Sequence, residues 1–349
     1  MNGLDSTIAA ILTLDGVTNG VIYGLIAIAL VLVFAVTRIL FLPQGEFVAF
    51  GALTLAMLQQ GQVPGLVWLL LALALCATGS SVLALLRSGQ RAGIASAVLR
   101  NLVAPALIAA LVWWAAPKQF SLPVQVGLTL LLVTALGPLL YQVVYESLAG
   151  ASVLVLLIVS VGTHFALTGL GLVFFGAEGF RTPAFWDARW PIGGVTLSAQ
   201  TVAVVLAAGA LIVALWLVSE RTLYGKALRA TAVNRLGARL MGISTTLAGK
   251  LTFAVAAFIG ALSGVLIGPL TTVFYDSGFL IGLKGFVAAT IGALASFPLA
   301  AVGALGVGML ESFSSFWVSD FKEVVVFMSL LPILLWRSIA SPAHDEDED

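Results

Sequence analysis

Charge is what this sequence has least of. Only 9% of its 349 residues are Asp, Glu, Lys or Arg and 60% are hydrophobic, with a mean hydropathy of +1.12, whereas an ordinary soluble domain carries about 25% charged residues. That shortage excludes a soluble globular protein and a disordered chain alike. Cysteine is nearly missing too: Cys76 is single and lies in the apolar run LLLALALCATG, which excludes an internal disulfide. There are two histidines, His164 and His344, so Cys/His metal sites and Cys–His nucleophilic catalysis have no material, and neither a catalytic nor a metal-ligating set is expected. Residues 1–13 hold Asp5 but no Lys or Arg; without a basic n-region no signal peptide is expected, and the first apolar segment is expected to stay in the mature protein. A nucleotide loop is lacking as well. The nearest approach, STTLAGKL, has Ser244 where a Walker A loop needs Gly and Leu251 where it needs Ser or Thr.

What the sequence has is apolar runs. A bilayer core about 30 Å thick takes about 20 residues per helical span, and runs at 16–37, 47–60, 65–86, 102–116, 123–145, 152–175, 199–219, 250–274, 284–297, 299–317 and 321–336 predict an all-α polytopic membrane protein of about eight to eleven transmembrane helices. The runs at 47–60 and 284–297 are short and glycine-rich, as in helices broken along a transport pathway, where irregular backbone faces protein or water. A re-entrant pair over 284–317 has the same parity with fewer crossings. The organisation read from these runs is one transmembrane domain over 1–349, with a two-helix hairpin at 65–116, a long loop at 220–250 and an acidic tail at 340–349.

The net charge of zero conceals an asymmetry. Five of the sixteen acids are residues 345–349, and without them sixteen basic residues face eleven acids. Alternate threading of the spans puts Arg38, Arg87, Arg91, Arg100, Arg221, Lys226, Arg229, Arg235, Arg239, Lys250 and Arg337 on one side. Lys118, Arg181, Arg189, Lys284 and Lys322 fall on the other. The richer side is cytoplasmic by the positive-inside rule, with the N-terminus outside and the C-terminus inside. Residues 176–198, with Trp186 and Trp190, are then external. Residues 220–250 are internal, and Arg229, Ala232 and Leu236 recur at helical spacing, which predicts a short amphipathic helix on the cytoplasmic face.

Ionisable groups within membrane segments are costly, at least about 2.5–3.5 kcal/mol each on insertion scales, and mark candidate sites. Here they are Glu46, His164, Lys284 and Glu311. Glu46 is either an acid opening the helix that follows it or part of a broken segment presenting Gln44, Gly45 and Glu46 to the pathway. His164 either bonds a neighbouring helix or lines the pathway; Lys284 and Thr290 complete the pathway candidates. One histidine and two acids near span ends are thin material for a proton relay, against an ion-coupled secondary carrier of a small organic solute. Gly260, Gly264 and Gly268 recur every four residues, a spacing that lets helices approach closely.

The stretch YGKALRATAVNRLGARLMGISTTLAGKLTFAVAAFIGALSGVLIG, followed by GLKGFVAATIGALASFPLAAVGALGVGMLES, resembles the permease subunits of branched-chain amino acid ABC importers. GLIAIALVLVFAVTRILFLPQGEFVAFGA resembles their first two spans with the G-E-F turn, so the likeness runs over 20–336. It implies an ABC importer permease fold, type II-like with broken or re-entrant segments, moving a branched-chain or other hydrophobic amino acid or small carboxylate inward across a bacterial cytoplasmic membrane. The partners it implies are a second permease subunit, two ABC ATPase subunits, a periplasmic or extracellular solute-binding protein and membrane lipid, with no nucleic acid. ATP and Mg would be held by the ATPases and no cofactor by this chain. The resemblance further implies a coupling helix over 230–243 that docks on the ATPase, with Arg229, Ala232, Arg235, Ala238, Arg239, Leu240, Met241, Gly242 and Ile243 as coupling residues. Val233 and Asn234 stand where the family often has acids, and Phe41 and Gln44 where it usually has Asn and His. The hairpin at 65–116 is extra to the typical member. Glu178, Arg181, Asp187 and Arg189 are the candidate docking residues for the binding protein.

Overall fold

The computed structural model describes residues 2–89, 93–192 and 195–340; Arg91 and the acidic tail with His344 lie outside them. The helices are α1 (Asn2–Thr37), α2 (Gln44–Gln59), α3 (Leu66–Arg87), α4 (Ile94–Val98), α5 (Ala104–Ala115), α6 (Leu122–Leu140), α7 (Val153–Phe175), α8 (Ala199–Arg221), α9 (Leu223–Val233), α10 (Arg235–Leu240), α11 (Thr245–Ile267), α12 (Ser277–Ile291), α13 (Phe297–Trp317), α14 (Lys322–Met328) and α15 (Leu330–Ala340). A π-turn, Leu99–Val103, joins α4 to α5. One hairpin, β1 (Arg189–Ile192) with β2 (Val195–Ser198), pairs antiparallel.

Among the described residues eight helical stretches are long and apolar enough to cross a membrane: Ser6–Thr37, Leu66–Arg87, Ile94–Lys118, Leu122–Leu148, Val153–Phe175, Ala199–Arg221, Thr245–Ile267 and Phe297–Trp317. Eight lies within the eight to eleven expected; three of the eleven runs are not single long helices. α2 has 16 residues and α12 has 15, about 24 and 22 Å at 1.5 Å per residue. The last run breaks at Ser329 into α14 and α15.

The short run placed at 284–297 is in fact Ser277–Ile291, followed by a turn. Ser296 caps α13 by accepting from the Leu299 N–H at 3.4 Å, and Pro298 sits in its first turn, where its missing N–H costs nothing. Ala293 and Leu294 take positive φ of 62° and 55° between the two helices. Apolar residues in that conformation leave no mark in a hydropathy pattern. Similarly, the run 250–274 is helical over Thr245–Ile267 only.

α2 is the centre of the molecule. Every residue but Met57 and Gln59 is buried, as expected of a helix apolar all round, and α6, α7, α11 and α12 pack around it. The approach is backbone to backbone. A Cβ on Gly264 would meet the Val48 carbonyl oxygen at 2.0 Å and one on Gly51 the Ala261 oxygen at 2.5 Å, so Gly260 and Gly264 of α11 form a packing surface for α2, while Gly268, just past α11, lies against Thr182. α1 and α13 pack the same way, with Gly308 against the Gly16 oxygen.

At the periphery, α3 and α4–α5 form the 65–116 hairpin against α6. Its outward residues, including Leu75, Leu99 and Leu107, are exposed and apolar, as in a lipid-facing element. α7 meets the core along one stripe, Leu156, Ser160, His164, Leu167, Gly171 and Phe175.

Candidate translocation site and coupling surface

α2 begins abruptly. Arg38 takes φ 61° after the end of α1, and Pro43 precedes Gln44 at the start of α2; a proline disfavours helical conformation in the residue before it. The first turn of α2 therefore lies inside the protein, with Gln44, Gly45 and Glu46 all buried. Gln44 Nε2 donates to the Ala256 carbonyl of α11 at 2.9 Å. Gly45 lies on the first turns of α12: a Cβ there would meet the Gly278 oxygen at 1.8 Å and the Gly282 Cα at 2.9 Å. The openings of two short helices thus meet through glycines.

Glu46, 0% exposed, pairs with His164 of α7, Oε1 to Nδ1, at 2.7 Å. His164 sits midway along Val153–Phe175, so the pair lies deep between the ends of a full span. Its ring stacks on Phe279 of α12 at 4.6 Å, and the Thr168 hydroxyl is 3.4 Å from Nδ1. Glu46 Oε2 and Gln44 Oε1 have no hydrogen-bond partner. Four of the six pathway candidates, Gln44, Gly45, Glu46 and His164, are therefore brought together.

Lys284 and Thr290 are not among them. Lys284, 5% exposed, turns to the other side of α12, where Nζ lies 2.6 Å from Glu311 Oε1 and 3.0 Å from Glu323 Oε1. The Tyr23 hydroxyl donates to Glu311 Oε2 at 2.5 Å. Lys284 thus ties α12 to α13 and α14, and its place among the outer loop charges is corrected: it is inside the bundle. Thr290 donates to the Val287 carbonyl at 2.7 Å. Tyr23 and Glu323 were missed because nothing in their local sequence marks partners so distant along the chain.

The loop at 220–250 is two helices, not the single one expected over 230–243. Asn234, at φ −146° and ψ 99°, ends α9 and caps α10, its Oδ1 accepting from the Gly237 N–H at 2.7 Å. Ala232, Arg235, Ala238 and Ile243 face the protein; Ala238 is buried and Arg235 donates to the Ala149 carbonyl at 3.1 Å. Arg229, Arg239, Leu240, Met241 and Gly242 face outward, with Arg229 paired to Glu220. Val233 and Leu236 are exposed beside them, and Leu240 and Met241 are about four-fifths exposed. An apolar groove lined by Leu223, Tyr224, Leu228, Ile243 and Leu247 runs between α9 and α11. Lys250 of the near-miss loop is held by Glu146 at 3.1 Å and Gln142 at 2.9 Å, which gives it a structural task.

At the opposite end, Arg181 donates from Nε and Nη2 to the Pro269 and Leu270 carbonyls at 3.1 and 3.2 Å. Arg181, Asp187 and Arg189 line one cavity with Trp186 and Gln200. Glu178 is exposed away from that lining.

The sequence profile of a family described as branched-chain amino acid transport system / permease component matches residues 12–335. The chain is 28% identical over 213 residues to the high-affinity branched-chain amino acid transport system permease protein LivH of Escherichia coli, covering 59% of this chain and 69% of that one. To the corresponding permease protein BraD of Pseudomonas aeruginosa it is 29% identical over 216 residues, covering 60% and 70%. A solved structure, PsaBC from Streptococcus pneumoniae in complex with Fab, aligns over 94% of this chain and 91% of that one at 11% identity with a TM-score of 0.38, a likeness too distant to carry an argument.

Proposed function

Since the chain belongs to the family of branched-chain amino acid transport permeases, we propose that it forms, with a second permease subunit, the pathway by which an ABC importer moves a branched-chain or related hydrophobic amino acid into the cell. It is a multi-pass membrane protein with a permease's task, and an ion-coupled carrier is the weaker reading. The site is to lie in the bacterial cytoplasmic membrane, with the α9–α10 loop and the C-terminus inside.

The observation that carries the coupling is the α9–α10 surface. Val233, Leu236, Leu240 and Met241 are exposed at the end of the molecule where the positive charges gather. Contiguous apolar side chains outside the membrane mark an interaction surface, and Arg229 and Arg239 rim it. An ATPase subunit docked there takes up and releases the apolar patch as it binds and hydrolyses ATP with Mg. Arg235 and Ala238 face inward and transmit that movement, Arg235 through its bond to the loop between α6 and α7. The external cavity at Arg181, Asp187 and Arg189 is the proposed contact of the solute-binding protein, with Glu178 on its exposed flank.

The test is co-purification and uptake. Arg239→Glu with Gly242→Pro removes a rim charge and forces proline on a residue at φ +82°, which its ring forbids. The double variant is expected to lose the ATPase subunits on purification and to abolish ATP-dependent leucine uptake in vesicles. Full co-purification with undiminished uptake overturns the coupling assignment, and uptake by this chain alone under an ion gradient overturns the importer.

A further inference from the structure

We propose that the loop end of the 65–116 hairpin holds the headgroup of an anionic phospholipid, with Arg87 and Arg100 on its phosphate.

Charge in this part of the chain has one sign. No Asp or Glu stands between Glu46 and Glu146, a stretch that holds Arg87, Arg91, Arg100 and Lys118. Arg87 closes α3, Arg100 lies in the π-turn Leu99–Val103, and both are exposed. Lys250 and Lys284, likewise set into apolar helices, have carboxylates at 3.1 and 2.6 Å, whereas Arg100 has no ion pair among the described residues. It stands six residues into the span Ile94–Lys118, about 9 Å along it at 1.5 Å per residue. An unpaired charge at that depth on a lipid-facing flank is costly, and an anion supplied by the bilayer removes the cost.

Asn101 sets the geometry. It is buried, and its Nδ2 donates to the Ser81 hydroxyl at 3.1 Å and to the Ala77 carbonyl at 3.4 Å, which fixes the two arms of the hairpin side by side at that level. At about 100° per residue, Arg87, ten residues on from Ala77, and Arg100, one residue before Asn101, each lie about a quarter-turn from the line joining the arms; because the arms are antiparallel, both fall on the same side of it. A Cβ bond tilts toward the N-terminus of its helix. The Arg87 side chain therefore leans into the membrane and the Arg100 side chain toward the loop, so that the two converge. Around them Leu83, Leu86, Leu99, Val103 and Leu107 are exposed and offer a surface to acyl chains. Two guanidinium forks beside an apolar flank fit a phosphate that carries hydrocarbon.

The site is tied to the rest of the protein. Gln142 Nε2 also donates to the Ser81 hydroxyl, at 2.8 Å, and Gln142 Oε1 accepts from Lys250 of α11 at 2.9 Å. A lipid that holds Arg100 beside α3 thus steadies a polar seam running from the hairpin to the first turns of α11, next to the α9–α10 surface.

The experiment takes the purified, delipidated full chain in detergent and adds dioleoylphosphatidylglycerol, dioleoylphosphatidylcholine or inorganic phosphate, with retained lipid read by native mass spectrometry and stability by the thermal midpoint. Phosphatidylglycerol is expected to bind and to raise the midpoint, and the other two to do neither. Arg87→Gln and Arg100→Gln are each expected to weaken phosphatidylglycerol binding about fivefold and the double variant about thirtyfold, at about 1 kcal/mol per basic side chain near an anionic surface, with lipid-free midpoints close to the parent's. Lys118→Gln, at the other end of the hairpin over the Trp114 ring, is expected to keep full binding. Equal retention of phosphatidylcholine marks plain snorkelling to the interface, and a midpoint raised by inorganic phosphate alone marks a soluble-anion site; either overturns the proposal. So does a loss in Lys118→Gln as large as in the arginine variants, or binding untouched in the double variant.

Discussion

Lys284 holds its ammonium between Glu311 and Glu323 with Tyr23 on the far oxygen of Glu311, and the arrangement decides how each group tolerates loss. Removing one member of a buried pair leaves an uncompensated charge, at about 3–5 kcal/mol, whereas replacing both is often neutral. Lys284→Met is therefore expected to lower the thermal midpoint of the detergent-purified protein sharply, and Lys284→Met with Glu311→Gln to recover most of the loss. A double variant no better than the single one would show that the charges are solvated and act independently. The same residues show what sequence conveys at this scale. The low charge density made Glu46, His164, Lys284 and Glu311 conspicuous one by one, but their pairing, Glu46 with His164 and Lys284 with Glu311, depends on contacts across 118 and 27 positions. No local pattern encodes such separations, so Lys284 was grouped with a pathway whose side of α12 it does not face.

At the scale of elements, glycine is used in two physically different ways that sequence alone does not separate. Gly264 carries backbone contact with α2, while Gly162 on α7 and Gly306 on α13 have nothing within 4 Å of an added Cβ. Gly264→Ala is expected to destabilise the fold by about 1–3 kcal/mol through overpacking. Gly162→Ala and Gly306→Ala are expected to be neutral or to stabilise by up to about 1 kcal/mol through helix propensity. Thermal midpoints of the three variants, measured side by side, check the difference, and an equal loss in all three would place partners on the exposed faces of α7 and α13. The eight long helices were legible as apolar runs because burial and lipid exposure both demand apolar side chains. The breaks were less so. Pro43 and Pro298 announce two of them, but the turn at Ala293 and Leu294 is spelled in the same residues as the helices it separates, and the division of α9 from α10 rests on the single cap of Asn234.

For the whole molecule, connectivity and orientation are separate statements that one set of measurements tests together. Arg235 bonded to the Ala149 carbonyl places the α6–α7 turn beside the α9–α10 loop, and the bridge between Phe180 and Val273 places the 176–198 loop beside the turn after α11. The fold thus assigns these loops to two opposite ends whatever the orientation, and only the charge asymmetry says which end is cytoplasmic. Moving Lys284 into the bundle strengthens that asymmetry, because one of the five basic residues counted outside no longer belongs there. In a Cys76→Ser background, Gly150→Cys and Ala230→Cys are expected to react with a membrane-impermeant maleimide only after the cells are permeabilised, and Glu178→Cys and Ser319→Cys in intact cells. All four positions are exposed or at loop ends, so reactivity reads the compartment and not burial. The inverse pattern at all four would keep the fold and reverse the orientation, which would also remove the α9–α10 surface from any ATPase. A split between Gly150 and Ala230 would instead break the contact through Arg235, and with it the proposed route from the α9–α10 surface to α7 and the Glu46–His164 pair.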